Sequence, residues 1–203
     1  PCDVDRRMTW NSKTPGSPDE YFLRNEEVPI TKEEVRSIII SKLRLKENYS
    51  VIDIGCGSGS ITVELCFQCQ NGKVFGIDVD SKAIDLTNAN LEKFNVIAEI
   101  IKGDAYDMLE TLPSVDGIVI GGTTGKTEAI IHRSINKLSK GGRLVITTIL
   151  IETMFKAMEA INKSSEIKDI DFTQVTISKG RKTKTGTMML SRNPVLLISA
   201  TKI

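Results

Sequence analysis

The 203-residue chain has no charge excess: Lys+Arg 27 against Asp+Glu 26 leaves a formal net charge of +1. No overall field is available to hold a nucleic acid or an anionic membrane, so neither is expected as a partner. A long apolar run is missing as well. The longest nearly apolar stretch, Val145 to Ile151, is broken by Thr147 and Thr148, far short of the ~20 residues a bilayer span needs. No basic-then-apolar start resembles a secretory signal, and a cytoplasmic location is expected. Histidine is represented by His132 alone, at a polar position of an expected helix. The four cysteines are too sparse for a secreted disulfide framework. Cys66 and Cys69 sit three apart, but no second Cys or His pair completes a zinc site, so no metal is expected. What remains is an α/β-sized chain with a 40% hydrophobic composition, enough for one sizeable core.

Residues 1–17 are polar and proline-punctuated and are expected to form a flexible extension, with a single domain over 18–203 that begins with an arm and a helix. Thr31-Lys32-Glu33-Glu34 has the form of a capping box, and Val35, Ile38, Ile39 and Leu43 recur at helical spacing, predicting a helix to about Arg44. Strands and helices then alternate. Strands are expected at 51–54, 73–77, 98–102, 117–120 and 143–148, with helices at 81–94, 105–112, up to about 139, and 151–162. Lys140-Gly141-Gly142 reads as a turn between helix and strand. Two further strands, 169–178 and 194–200, have no helix between them. This is the pattern of a doubly wound, mostly parallel sheet with helices on both faces, closed by an antiparallel hairpin.

Chemistry concentrates where these strands end. Asp53-Ile54-Gly55-Cys56-Gly57-Ser58-Gly59 leaves the first strand, and alternate glycines let the backbone turn tightly and approach a ligand at a helix start. A dinucleotide fingerprint wants its third glycine at position 60, which is Ser60, so a dehydrogenase is disfavoured. Asp78 ends the second strand, where a carboxylate can accept both hydroxyls of a ribose. Asp104 and Ala105 follow the third, where an acid and a backbone N–H can meet an adenine.

These residues resemble the class I S-adenosylmethionine-dependent methyltransferases. The resemblance narrows with Pro18-Asp19-Glu20-Tyr21-Phe22, Thr31 to Arg36, Ile120-Gly121-Gly122, Gly186-Thr187-Met188-Met189 and Ser191-Arg192-Asn193-Pro194-Val195. Together they are similar to the cobalt-precorrin carbon-15 methyltransferases (decarboxylating) of cobalamin biosynthesis. The resemblance implies seven strands in the order 3-2-1-4-5-7-6 with the last antiparallel, S-adenosylmethionine as cofactor, a cobalt-precorrin tetrapyrrole as substrate, and a homotetramer. Carried over by position, the cofactor residues are Thr31, Gly55, Cys56, Gly57, Ser58, Gly59, Asp78 and Ala105, joined by Asp53 and Asp104 from their placement. Glu152, just after the fifth strand, is the candidate acid for the decarboxylation. A polycarboxylate substrate calls for cations, and Lys179-Gly180-Arg181-Lys182-Thr183-Lys184 with Arg192 supplies them; Arg181 and Arg192 are the candidate substrate residues. Two alternatives stand beside this: a class I methyltransferase acting on tRNA, and a non-catalytic S-adenosylmethionine-binding subunit.

Overall fold

The computed structural model describes residues 12–203; Cys2 and the rest of 1–11 lie outside the described residues. Packed structure begins before the boundary expected at residue 18. Ser17 is fully buried, and its N–H and hydroxyl each donate to Glu64 Oε1 at 2.7 Å, joined by Gly16 N at 3.0 Å.

The parallel strands form at short apolar runs, and the central ones are buried on both faces, as a sheet covered on each side by helices requires. They are β1 (Val51–Ile54), β2 (Val74–Asp78), β3 (Glu99–Lys102), β4 (Val115–Ile120) and β5 (Leu138–Thr148). Between and before them lie α1 (Glu33–Leu43), α2 (Ser60–Gln68), α3 (Ser81–Phe94), α4 (Ala105–Thr111) and α5 (Thr127–Lys137); α6 (Ile151–Lys163) follows β5. The chain closes with β6 (Ile167–Val175), β7 (Ser178–Lys182), β8 (Thr187–Ser191) and β9 (Val195–Lys202). The main sheet runs β3-β2-β1-β4-β5-β9-β6, with β9 antiparallel to both neighbours. Counted without the intervening β7–β8 pair, this is the expected seven-strand order.

Alternation along the central strands feeds two cores. Ile52, Ile54, Ile118, Ile120, Leu144 and Ile146 pack with Leu109, Ile130, Ile131 and Ala157 from α4, α5 and α6. Val51, Val119 and Val145 face the other way, against Val35, Ile39, Leu43, Val63 and Leu91 of α1, α2 and α3.

Three local expectations change. The segment 140–142, expected as a turn, belongs to β5: the β4–β5 ladder shifts register between Val115 and Gly117, and Gly141 takes φ 80 within that irregularity. The strand expected at 169–178 ends at Val175, and the two-stranded β7–β8 hairpin follows, paired from Ser178↔Ser191 to Lys182↔Thr187. The Thr31 capping box does not form. The first helical residue is Glu33, whose N–H donates to Asp19 Oδ1 at 3.0 Å, while Asp19 N donates back to Glu33 Oε2 at 3.1 Å. Asp19, in the short 3-10 turn Asp19–Tyr21, therefore caps α1 from the arm. The buried Arg36 clamps this junction through Asp19 Oδ1 at 2.8 Å and the carbonyls of Thr31 and Ser17. Among the described residues, no helix is long and apolar enough to cross a membrane.

Candidate active site

The carboxyl ends of β1 to β4 open into one crevice. Its floor is formed by Gly55 and Gly57 of the glycine loop, in which Gly55, Gly57 and Gly59 take φ 74, 57 and 74, a left-handed backbone that favours glycine. Gly55 N and Cys56 N both donate to Ile77 O, tying the loop across to β2. From the other side, Gly121 N donates to Ile54 O at 2.8 Å. The approach there is so close that a Cβ on Gly55 would stand 2.7 Å from Gly122 N. The Ile-Gly-Gly after β4 is thus the backbone partner of the glycine loop.

The crevice is lined by Gly55 and Gly57, by Ile77, Asp78, Val79, Asp80 and Ala83, by Gly103 and Ala105, and by Gly121, Gly122, Thr124 and Ile130. Glu27, Val28 and Pro29 of the arm close it, held by an ion pair between Glu27 and Lys82. Asp78 Oδ2 accepts from Gly57 N at 2.9 Å and Oδ1 from Asp80 N at 3.0 Å. A carboxylate offers about four acceptor positions, so two remain for a ligand such as the vicinal hydroxyls of a ribose. The largely apolar walls and the Asp78 carboxylate at the end of β2 fit a nucleoside.

Of the residues singled out by sequence, Gly55, Gly57, Asp78 and Ala105 line the crevice. Thr31, Asp53, Cys56, Ser58, Gly59 and Asp104 stand outside its lining. Cys56 Sγ lies beneath the loop and accepts from the Thr87 hydroxyl at 3.6 Å. Gly59 packs on α3, where an added Cβ would sit 2.8 Å from Thr87. Asp104 caps α4, its Oδ1 accepting from Tyr106 N at 2.9 Å, and its Oδ2 pairs with Lys126 at 2.7 Å. That lysine's hydrogen bond to Asp104 holds its carboxyl below the ordinary value. Glu152, Arg181 and Arg192 are exposed and lie outside the lining.

The arm residues were missed at the sequence level, and so was the role of Lys179. That lysine is pinned at 2.6 Å to both Glu33 and Glu34 at the start of α1, fixing the hairpin beside the arm. The thiols of Cys56, Cys66 and Cys69 are buried and free, and burial pushes each up to about 12, which makes them unreactive packing groups.

Asp53 is the perturbed group. It points from β1 toward α2, is fully buried, and accepts from the Thr62 hydroxyl at 2.7 Å, while its Oδ1 has no partner. Burial, with a smaller contribution from the Asp78 charge, pushes its carboxyl from 3.8 up to about 7; the Thr62 hydrogen bond opposes this. The folded state therefore holds a proton that the unfolded chain releases. The stability this contributes is fully present below about pH 4 and lost as pH rises through about 7. Asp53→Asn keeps an acceptor for Thr62 and removes the titration. Its thermal midpoint, measured against the native chain from pH 5 to 8, is expected to gain progressively; parallel curves would remove the assignment.

The comparisons with known proteins agree with one another. A family model described as "Precorrin methyltransferase domain" matches residues 22–202. A curated protein of Saccharolobus solfataricus, "Probable cobalt-precorrin-6B C(15)-methyltransferase (decarboxylating)", is 48% identical, covering 96% of this chain and all of that protein. The solved structure of a precorrin 8W decarboxylase from Methanobacterium thermoautotrophicum superposes with a TM-score of 0.86 at 37% identity, covering 92% of this chain and 100% of its own. A precorrin-6y C5,15-methyltransferase from Geobacter metallireducens gives a TM-score of 0.86 at 30% identity, covering 94% of this chain and 98% of its own.

Proposed function

The chain belongs to the precorrin methyltransferase family, and from that premise we propose that it methylates a cobalt-precorrin at carbon 15 in cobalamin biosynthesis. S-adenosylmethionine is the methyl donor, and the ring C acetate is lost as carbon dioxide. The observation that carries the acceptor is the full-length match to a relative so named. The donor is supported by the crevice, where Asp78 keeps two acceptor positions for ribose hydroxyls above a left-handed glycine floor.

The donor supplies an already activated methyl group, so the protein's part is placement. Holding donor and acceptor in line replaces a bimolecular encounter, an effect worth up to roughly 7–11 kcal/mol. Gly121 and Gly122 line the crevice beside the loop, and the arm adds Glu27, Val28 and Pro29 to its walls. Decarboxylation leaves the bonding pair of the broken C–C bond in the conjugated macrocycle, and a proton must complete the methyl group left on ring C. Glu152, in the first turn of α6 at the carboxyl end of β5, is the acid we assign to that delivery. Its placement on the helix that follows the strand beside β4 supports the assignment.

The acceptor's carboxylates would meet Arg181 and Arg192, which have no ion pair with a carboxylate among the described residues. Lys179 is committed to α1 and anchors them near the arm. Replacing both arginines with alanine should raise the tetrapyrrole KM by about tenfold or more and leave donor affinity unchanged; a fall in donor affinity would defeat this placement. Met188, Met189 and Leu190 of β8 are 49%, 62% and 39% exposed, an apolar strip that supports the homotetramer. Light scattering should return four times the chain mass, and a monomer would refute it.

The donor reading is tested by calorimetry with S-adenosylmethionine on the native chain and Asp78→Asn. Binding by the first, weakened at least tenfold in the second, is expected; equal affinities would exclude the crevice as the site. The tRNA alternative is set aside because the relatives named above belong to the precorrin series. The non-catalytic alternative predicts donor binding without turnover.

A further inference from the structure

One end of the crevice is walled by Gly103 and Ala105 from the β3 side and by Thr124 and Ile130 from the β4 side. Asp104 stands between the first two residues. Lys126 stands between the second two, one turn ahead of Ile130, whose N–H donates to its carbonyl at 3.0 Å. Their side chains meet, Lys126 Nζ donating to Asp104 Oδ2 at 2.7 Å, so an ion pair joins the two walls. Asp104 Oδ1 is already committed to Tyr106 N in the α4 cap. An incoming amino group would meet a carboxylate whose two oxygens each already accept one hydrogen bond, and at Oδ2 it would compete with Lys126.

The contact is made to be exchanged. Its side chains are 48% and 26% exposed, and exposed pairs of this kind contribute little net stability. The Lys126 ammonium also lies 5.3 Å from the centre of the Tyr106 ring. The lysine follows Thr124 and Gly125, both in left-handed backbone at φ 46 and 87, and lies four residues after the glycine pair that follows β4.

We propose that the Lys126–Asp104 pair is a clasp across the adenine end of the crevice: the donor opens it by taking Asp104, and the freed Lys126 ammonium then holds a carboxylate of the acceptor. This rests on the donor and acceptor named above. An empty crevice keeps its cation neutralised; a filled one presents it at the carboxyl end of β4, beside the glycine pair where the acceptor must approach. Donor and acceptor binding are thereby coupled, and linkage makes the coupling reciprocal.

The test compares the native chain with Lys126→Met and Lys126→Arg, using calorimetry with S-adenosylmethionine and steady-state kinetics on the cobalt-precorrin at saturating donor. Lys126→Met is expected to bind the donor about two- to fivefold more tightly, because its competitor is gone. Its acceptor KM should rise about tenfold with kcat within about twofold, and Lys126→Arg should recover most of that KM. An unchanged acceptor KM, or weaker donor binding by Lys126→Met, would overturn the clasp. Failure of the native chain to bind the donor would sink the donor reading first and the clasp with it, a result visible in the first titration alone.

Discussion

Gly55→Ala should abolish donor binding and lower stability by about 2–4 kcal/mol, through left-handed strain of about 1–2 kcal/mol and a backbone collision on top of it. The residue has φ 74, and its added Cβ would lie 2.7 Å from Gly122 N and 2.9 Å from Gly122 Cα. Neither contact is a flexible side chain that could turn away. Relief requires the β1 and β4 loops to part, and that parting breaks the crevice floor and the Gly121 N to Ile54 O bond with it. The reciprocal substitution is the control. A Cβ on Gly122 would meet only Gly55 Cα at 3.8 Å, an ordinary contact, so Gly122→Ala should change stability by no more than about 0.5 kcal/mol. Urea unfolding of the two variants measures the asymmetry. Equal losses would mean that the loop contact does not carry the site.

Arg36→Met is expected to cost about 3–5 kcal/mol, the range for removing one partner of a buried charge network. Arg36 has no exposed surface, and its guanidinium reaches Asp19 Oδ1 at 2.8 Å and Glu64 Oε1 at 3.5 Å, with the Phe22 ring 4.7 Å away. Methionine fills much of the volume but takes the guanidinium away from the buried Glu64 carboxylate and leaves Asp19 to Lys32, 3.6 Å away. Asp19 also caps α1 and is bonded by Glu33, so the loss spreads to the arm that closes the crevice. Arg36→Lys should fall between, because one ammonium cannot reproduce the fork that serves Asp19 and the carbonyls of Ser17 and Thr31 together. A loss under 1 kcal/mol for Arg36→Met in chemical denaturation would show that water compensates the pair.

The strands and helices around the crevice were legible because local and tertiary preferences agree there. Val51 to Ile54 is apolar and bounded by turn signals, and it becomes a strand with every residue buried. Asp78 closes β2 where the offset from the glycine loop placed it. The Thr31 box failed for a physical reason: its hydroxyl competes with Asp19, a carboxylate delivered by a turn fourteen residues before Glu33. No local pattern encodes which acceptor wins. Glu27, Val28 and Pro29 carry no ligand motif, and they line the crevice only because the arm folds back over α3. The hairpin over 178–191 escaped notice because both its strands are exposed and lack the alternation that marks a half-buried strand.

Charge was misread more subtly. By position, Asp53, Asp78 and Asp104 are expected at the cofactor site and the cations of 179–184 at the substrate. Asp53 instead sits under the loop with its carboxyl near 7, Asp104 is already paired with Lys126, and Lys179 is spent on α1. Asp78 remains as the acid the crevice offers from that set.

The most direct measurement is incubation of the native chain with the cobalt-precorrin and methyl-labelled S-adenosylmethionine, followed by mass analysis of the tetrapyrrole and of released carbon dioxide. One labelled methyl group gained for each carbon dioxide lost, with neither change in Gly55→Ala, is the predicted result. Donor binding with an unaltered tetrapyrrole, or label appearing in tRNA instead, would contradict it.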